Sequence, residues 1–433
     1  MSLSFLIVLH EFGHYITARW FKARVDKFYL FFDFLFPFGN LLKFSLFKKK
    51  VGGTEYGIGW FPFGGYVDIA GMMADPDKPE KEPEPDEFRA KKPWQRLIIL
   101  AGGITVNFLL AIIIYSMIFF AWGEDYLPTT EARYGITVDS LLTTVGLHDG
   151  DKVISIDNKP VERFGQVSSL IFLDQAKSIQ VERNGKTENI SLPDLDDGLL
   201  SSENAKFMIE ARYPFVIDSL LPDKAAFKAG FQKGDSLISL NGDTILYFQQ
   251  FFKEFQHLKG QNVKIGFYRN KQWMEIALTL NEEGQMGVDP RDIDKFLKIE
   301  HVDYGFFESW GMGWHRTIDK LGGYIKQMRL VFSKKGVTKV GGFASIASVF
   351  PEGWDWRGFW EITAMLSVIL AFMNLLPIPV LDGGYILFVL YEMITRKKVS
   401  DKFMNRALTI GMYLVLGLLV LANGNDIYRF LIK

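Results

Sequence analysis

The 433-residue chain contains no cysteine. That excludes disulfides, thiol nucleophiles and every cysteine-ligated metal site. Histidine is scarce as well, at six residues. A bound metal would have to draw on those few imidazoles together with Asp and Glu. Net charge is nearly nil, −1 from 49 basic and 50 acidic residues, so the electrostatic footprint of a nucleic-acid binder is missing. A mean hydropathy of +0.08 with 23% charged residues suits neither a wholly soluble chain nor a bare helix bundle. It suits a mixture of membrane segments and water-exposed parts, and the length has room for two or three domains.

Against this background, two of the scarce histidines stand four apart. Residues 9–14 read Leu-His-Glu-Phe-Gly-His, an H-E-x-x-H pattern inside the apolar run 2–21. On a helix, positions four apart share a face, so His10 and His14 can reach one metal ion. Glu11 directly follows the first ligand and is placed to handle a water on that metal. Imidazoles and a carboxylate in a membrane helix are expensive and mark function by default. The bland alternative is a buried helix whose His and Glu are merely satisfied. The run lacks a basic leader region and a small-residue cleavage site, so it reads as a membrane segment rather than a cleavable signal peptide.

Four segments read as transmembrane helices, over 2–21, 97–122, 359–381 and 405–423. Lys43, Lys48, Lys49, Lys50, Arg89, Lys91, Lys92 and Arg96 lie between the first two. Arg396, Lys397, Lys398, Lys402 and Arg406 lie between the last two. The positive-inside rule puts both regions in the cytoplasm and the long 123–358 segment outside. The cytoplasmic loop 23–96 holds a Gly-rich stretch, 55–67, expected as a hairpin or re-entrant loop, and an acidic Pro-rich linker, 75–87.

The outer segment contains an internal repeat. Residues 146–157, GLHDGDKVISID, match 230–241, GFQKGDSLISLN, and upstream VDSLL matches IDSLL. Each unit reads as short strands, a G-x-x-x-G-D turn, an alternating strand and a turn at Asn158-Lys159 or Asn241-Gly242. These resemble two α/β PDZ-like domains, at 130–196 and 212–290. Such domains either capture a chain end by strand addition or act as a spacer or size filter. Residues 304–349 alternate apolar and basic positions at helical spacing, as in an amphipathic helix lying on the membrane surface.

A catalytic zinc takes three protein ligands and keeps an open position. At the end of the third span, NLLPIPVLDGG carries Asp382 between two prolines and two glycines, a plausible oxygen ligand at a membrane boundary. With H-E-F-G-H in the first span, G-x-G-W…G-G-Y-V in the loop and A-G-G-I-T-V-N-F in the second span, these motifs resemble the site-2 protease family of intramembrane zinc metalloproteases. The tandem PDZ-like units resemble its bacterial branch of the regulator-of-sigma-E type. The resemblance covers essentially the whole chain, in order. It departs from the family at Gly102-Gly103 and at Gly341-Gly342-Phe343, where the family shows Gly-Pro.

The resemblance implies one zinc ion held by His10, His14 and Asp382, with Glu11 as the catalytic base. It implies that Asn374, Pro377 and Pro379 support the substrate. The Gly-rich loop, with Gly59, Gly64 and Gly65, would match a membrane-reentrant hairpin. The expected protein is a multi-pass helical membrane protein with two inserted PDZ-like domains, in a bacterial inner membrane. The PDZ-like domains face the periplasm and the active site lies towards the cytoplasm. Its expected partners are single-span membrane proteins or signal-peptide remnants and the bilayer, with no nucleic acid. The competing readings are a catalytically inactive membrane-anchored PDZ scaffold and a zinc hydrolase of small or lipid substrates.

Overall fold

A computed structural model describes residues 2–34, 42–72, 82–193, 209–331, 341–350 and 353–429. It divides into two compact units. The first comprises Met1–Gly123, Asp303–Met328 and Val337–Lys433, and the second Glu124–Val302 with Arg329–Gly336. Most of the acidic linker expected at 75–87 lies outside the described residues.

The first unit begins with α1, Ser2–Trp20. Its end is closed by Lys22 in the left-handed region (φ 55) and a bond from the Ala23 N–H to the Ala18 carbonyl. Four strands follow: β1 Val25–Phe32, β2 Ser45–Val51, β3 Thr54–Gly59 and β4 Phe61–Ile69. They form one mixed sheet in the order β2-β3-β1-β4, with β1 parallel to β3 and antiparallel to β4. This is more than the hairpin expected from 55–67, because the apolar run 25–32 inserts between its two strands. Next comes α2, Pro93–Trp122, with proline at its first position and Gly123 (φ 60) at its end. α1 and α2 meet backbone to backbone. A side chain at Gly13 would fall on the Gly102 carbonyl, and one at Gly102 would lie 2.7 Å from the Thr17 hydroxyl. Glycine stripes of this kind allow close helix approach in membranes.

The second unit contains the repeat. A first copy comprises β6 Ile136–Val138, α3 Ser140–Thr144, β7 Lys152–Ile156, β8 Lys159–Pro160, α4 Val167–Phe172, β9 Ser178–Arg183 and β10 Lys186–Ser191. It is preceded by β5 Glu124–Tyr126. β11, Ile209–Ala211, returns to pair with β6, so the first repeat reaches beyond the expected 196; among the described residues β6 has no other strand partner. The second copy comprises β12 Phe215–Leu220, α5 Ala225–Ala229, β13 Ser236–Leu240, β14 Asp243–Thr244, α6 Phe248–His257, β15 Asn262–Arg269, β16 Gln272–Thr279 and β17 Val288–Pro290. β17 pairs with β12 as β11 does with β6. β18, Glu300–Val302, pairs with β5 and closes the unit. Both β7-β8 and β13-β14 turns have two consecutive positive φ values, at Asp157-Asn158 and Asn241-Gly242. That is the tight hairpin turn favoured by Asn and Gly. The sheets are compatible with PDZ-like domains. Each copy encloses its own apolar core, one around Leu142, Leu147, Ile171 and Ile179 and one around Phe251, Val263, Ile265 and Phe267.

The chain then returns to the first unit with α7, Phe306–Val331. This stretch was expected as a surface helix over 304–349. α7 packs one side on α2: Met312, Leu321 and Tyr324 join Ala111, Tyr115 and Phe119 in one cluster. A side chain at Gly313 would lie 2.8 Å from the Ile112 carbonyl. A short α8, Phe343–Ala347, follows. The expected third span, 359–381, is helical only as far as Leu375 and ends in a turn. α9, Trp356–Leu375, stops before Pro377 and Pro379, which lack the N–H a helix needs. α10, Asp382–Thr395, then begins at the Asp-Gly-Gly sequence. α11, Asp401–Ile427, is longer than the 405–423 expected. Among the described residues three helices, α2, α9 and α11, are long and apolar enough to cross a membrane. α1 is long enough, at 19 residues, but is interrupted by its own polar groups.

Candidate metal centre

α1 is apolar apart from one face, and that face carries His10 and His14, both buried. Asp382 reaches them from the first turn of α10. Its Oδ2 lies 3.1 Å from His10 Nε2 and 3.2 Å from His14 Nε2, and the two nitrogens are 3.3 Å apart. A tetrahedral zinc ion with bonds of about 2.0–2.1 Å separates its ligand atoms by about 3.3–3.4 Å. The triangle therefore has the dimensions of one face of such a site. Among the described residues it is the group of His, Asp and Glu side chains whose ligand atoms converge closely enough to be able to hold an ion.

His14 Nδ1 is 2.9 Å from the Ile99 carbonyl, which can only accept, so Nδ1 carries the hydrogen and Nε2 presents a lone pair. Asp382 Oδ2, also buried, has no hydrogen-bond donor. With the imidazole neutral, the Nε2 lone pair faces that oxygen at 3.2 Å. Such an arrangement is costly unless a positive ion sits there. The donor set, two imidazoles and a carboxylate, is one that zinc accepts in catalytic sites.

The turn that delivers Asp382 is tightly specified. A side chain at Gly384 would lie 2.5 Å from the Ile378 carbonyl, and one at Gly383 would collide with those of Leu375 and Leu376. Val380, a β-branched residue, is held at φ 92, outside the usual region for its type. At the opposite end of α10, Glu392 pairs with Arg96 of α2 at 2.6 Å, both largely buried. Arg96, counted above among the cytoplasmic charges, thus also ties the Asp382 helix to α2.

Glu11 projects from α1 towards β4. The Val67 backbone N–H donates to its carboxylate. Gly65, one of the three glycines singled out above, faces the same side: a side chain there would lie 3.1 Å from Ile7 and 3.7 Å from Glu11. Gly59 and Gly64 are placed differently, against the Phe32 backbone and ring. Asn374 is half-buried in the last turn of α9, and Pro377 is exposed in the turn after it. Pro379 is backed by Gly411 of α11, where a side chain would collide with the proline carbonyl.

Three positions at the centre take parts that the motifs do not reveal. Gly103 of α2 lies beneath both imidazoles; a side chain there would come within 2.5 Å of His14 Nε2 and 2.6 Å of His10 Cε1. Ile99 contributes through its backbone carbonyl, which no sequence pattern reveals. Asn107 lies 3.2 Å from His10 Nδ1. Its signal was available: an amide within an otherwise apolar span invites a functional reading.

The profile of peptidase family M50 matches residues 1–418. The chain is 28% identical to the regulator of sigma-E protease RseP of Escherichia coli K12, over 99% of this chain and 97% of that protein. A protein of Neisseria meningitidis named as a zinc metalloprotease is 26% identical, over 99% of this chain and 98% of its own length. Another so named, from Rickettsia conorii, is 28% identical over 99% and 96%. With a match that runs nearly end to end and takes in both the HExxH helix and the Asp382 turn, the chain belongs to peptidase family M50, the site-2 protease family, and is a metalloprotease.

Proposed function

We propose that this protein hydrolyses a peptide bond within or beside the transmembrane segment of a single-span substrate, a membrane protein or a signal-peptide remnant. His10, His14 and Asp382 hold one zinc ion and Glu11 is the base. The observation that carries this reading is the convergence of three ligand atoms, from His10, His14 and Asp382, beside a helix-borne carboxylate one residue from His10.

Zinc held there supplies Lewis acidity and a water whose pKa falls to about 7. Glu11 accepts the proton of the attacking water and delivers it to the departing amine. The Val67 N–H orients the Glu11 carboxylate for both transfers. A substrate helix hides its carbonyls in its own hydrogen bonds, so it must unwind before attack. β4 stands at one end of its sheet, with β1 as its neighbour, and packs beside Glu11. Its other edge can take up the unwound segment by strand addition, and Gly65 keeps side chains clear of that path. Asn374, Pro377 and Pro379 complete the substrate-supporting surface, as the resemblance implies.

The protein resides in a bacterial inner membrane with the PDZ-like repeats in the periplasm and the site towards the cytoplasm, as the distribution of Lys and Arg favours. Cysteine can be introduced without background, since the chain has none. Glu84→Cys labels from the cytoplasmic side alone and Gly185→Cys from the outside alone; the reverse pattern overturns the orientation. The repeats exclude substrates that still carry a bulky outer domain. Deleting 130–290 then allows cleavage of an untrimmed substrate, and no gain on that substrate removes the filter from this account.

The deciding experiment measures zinc and cleavage together. Purified protein holds one zinc per chain and cuts a single-span test substrate, and Glu11→Gln retains the zinc and loses the cleavage. Wild-type turnover in Glu11→Gln would exclude the mechanism.

A further inference from the structure

α2 contributes no ligand to the metal centre, yet three of its residues border it at successive helical turns. Ile99, Gly103 and Asn107 are four apart and share one face. The Ile99 carbonyl takes the His14 Nδ1 hydrogen, at 2.9 Å. Gly103 leaves the space in which both rings lie. Asn107, fully buried, brings its side-chain amide to 3.2 Å from His10 Nδ1.

The amide has two orientations, which differ by exchange of oxygen and nitrogen. With nitrogen towards the ring, Asn107 Oδ1 is buried and without a partner. A neutral imidazole that offers Nε2 to a metal carries its hydrogen on Nδ1, and that hydrogen needs an acceptor. Turning the amide supplies one: Oδ1 faces Nδ1–H, and the NH2 group takes the position that the oxygen leaves. The Asn107 backbone is itself anchored, because the Ser367 hydroxyl of α9 donates to its carbonyl at 2.7 Å. The two histidines thus receive matched support from one helix, a backbone carbonyl for His14 and a side-chain carbonyl for His10.

We infer that Asn107 is a positioning residue for the metal centre: its side-chain oxygen accepts the His10 Nδ1 hydrogen and so fixes the ring with Nε2 towards the ion. This rests on the assignment of His10, His14 and Asp382 as ligands. Partners of this kind orient ligating histidines, and their loss lowers metal affinity by about 10–100-fold.

The test uses the full chain in detergent and reads zinc affinity by competition with a chelator, together with the visible absorption of the cobalt-substituted protein. Asn107→Leu keeps the volume and removes the acceptor. It lowers zinc affinity about 10–100-fold and alters the cobalt spectrum. Asn107→Asp keeps an acceptor at the same place and restores both. A role in helix packing alone predicts the opposite, with zinc affinity and cobalt spectrum unchanged in Asn107→Leu, or with Asn107→Asp as impaired as Asn107→Leu; either result overturns the inference. If Asn107→Leu does not fold, Asn107→Ser, whose hydroxyl is too short to reach the ring, gives the same comparison with Asn107→Asp. A wild-type protein that binds neither metal would instead remove the underlying assignment, so the two failures are told apart.

Discussion

Asp382 in the membrane unit can be set beside Asp151 and Asp235 in the repeat unit. All three carboxylates are largely withdrawn from water. Asp151 and Asp235 are closed off by arginine in the same way in each repeat. Arg183 donates to both oxygens of Asp151 at 2.7 Å, and Arg269 donates to those of Asp235 at 2.7 and 2.6 Å. Each arginine also reaches a glycine carbonyl, of Gly146 or Gly230. Each Asp further accepts a backbone N–H, from His148 or Gln232. These bonds push both guanidinium groups above their ordinary value and leave the carboxylates nothing further to bind. The G-D of the repeat is therefore a structural lock. Asp382 faces two imidazole nitrogens and no donor. A buried carboxylate already bonded to arginine holds a fold together, and one left without a hydrogen-bond donor is open to a ligand.

Replacing each carboxylate separates these two roles most sharply. Asp382→Ala removes one of three ligands, so zinc content falls towards zero and cleavage disappears while the repeats stay folded. Elemental analysis and hydrogen exchange on the same sample check it; full zinc occupancy in this variant would dissolve the contrast. Glu11→Gln comes next, with cleavage down by about 10²–10⁴-fold, the usual worth of a positioned general base, and zinc unchanged. Asp235→Ala leaves the Arg269 charge unmatched and destabilises the second repeat by about 3–5 kcal/mol. Exchange then rises across 212–290, and zinc in the first unit is retained. Loss of zinc here would mean that the lock also serves the metal centre.

The smallest effect concerns glycine. Gly103→Ala places a methyl group against both imidazoles, a strain of about 1–3 kcal/mol that appears as weaker zinc retention. Gly165→Ala, with open space around it in the repeat unit, changes stability by about 0.5 kcal/mol or less. Equal outcomes for the two would show that the rings can retreat from Gly103 without losing the ion.

Local features of the chain determined much of this protein. The i, i+4 spacing on a helix puts His10 and His14 on one face whatever surrounds them. The repeat announced two similar β units because its turns depend on Asn and Gly at particular backbone angles. Long apolar runs marked the membrane helices, although their ends shifted by a few residues. Asp382 was legible through its motif.

Tertiary structure decided the rest, because it depends on partners far away in sequence. The prolines after α9 end the helix of the third segment, and only the fold shows that a new helix starts at Asp382 and is tied to α2 through Glu392 and Arg96. An amphipathic pattern at 306–331 reports an apolar stripe but not what covers it, and the fold shows that α2 covers part of it. Arg183 and Arg269 gave no sign of their carboxylate partners, which lie over thirty residues upstream. Around the metal centre, the Ile99 carbonyl, the gap at Gly103 and the Asn107 amide all belong to α2, some ninety residues from the histidines they serve. A backbone carbonyl leaves no mark on a motif, and a motif that holds Gly103 and Asn107 does not say what they touch. They matter only once two helices cross closely enough for one to shape the other's ligands.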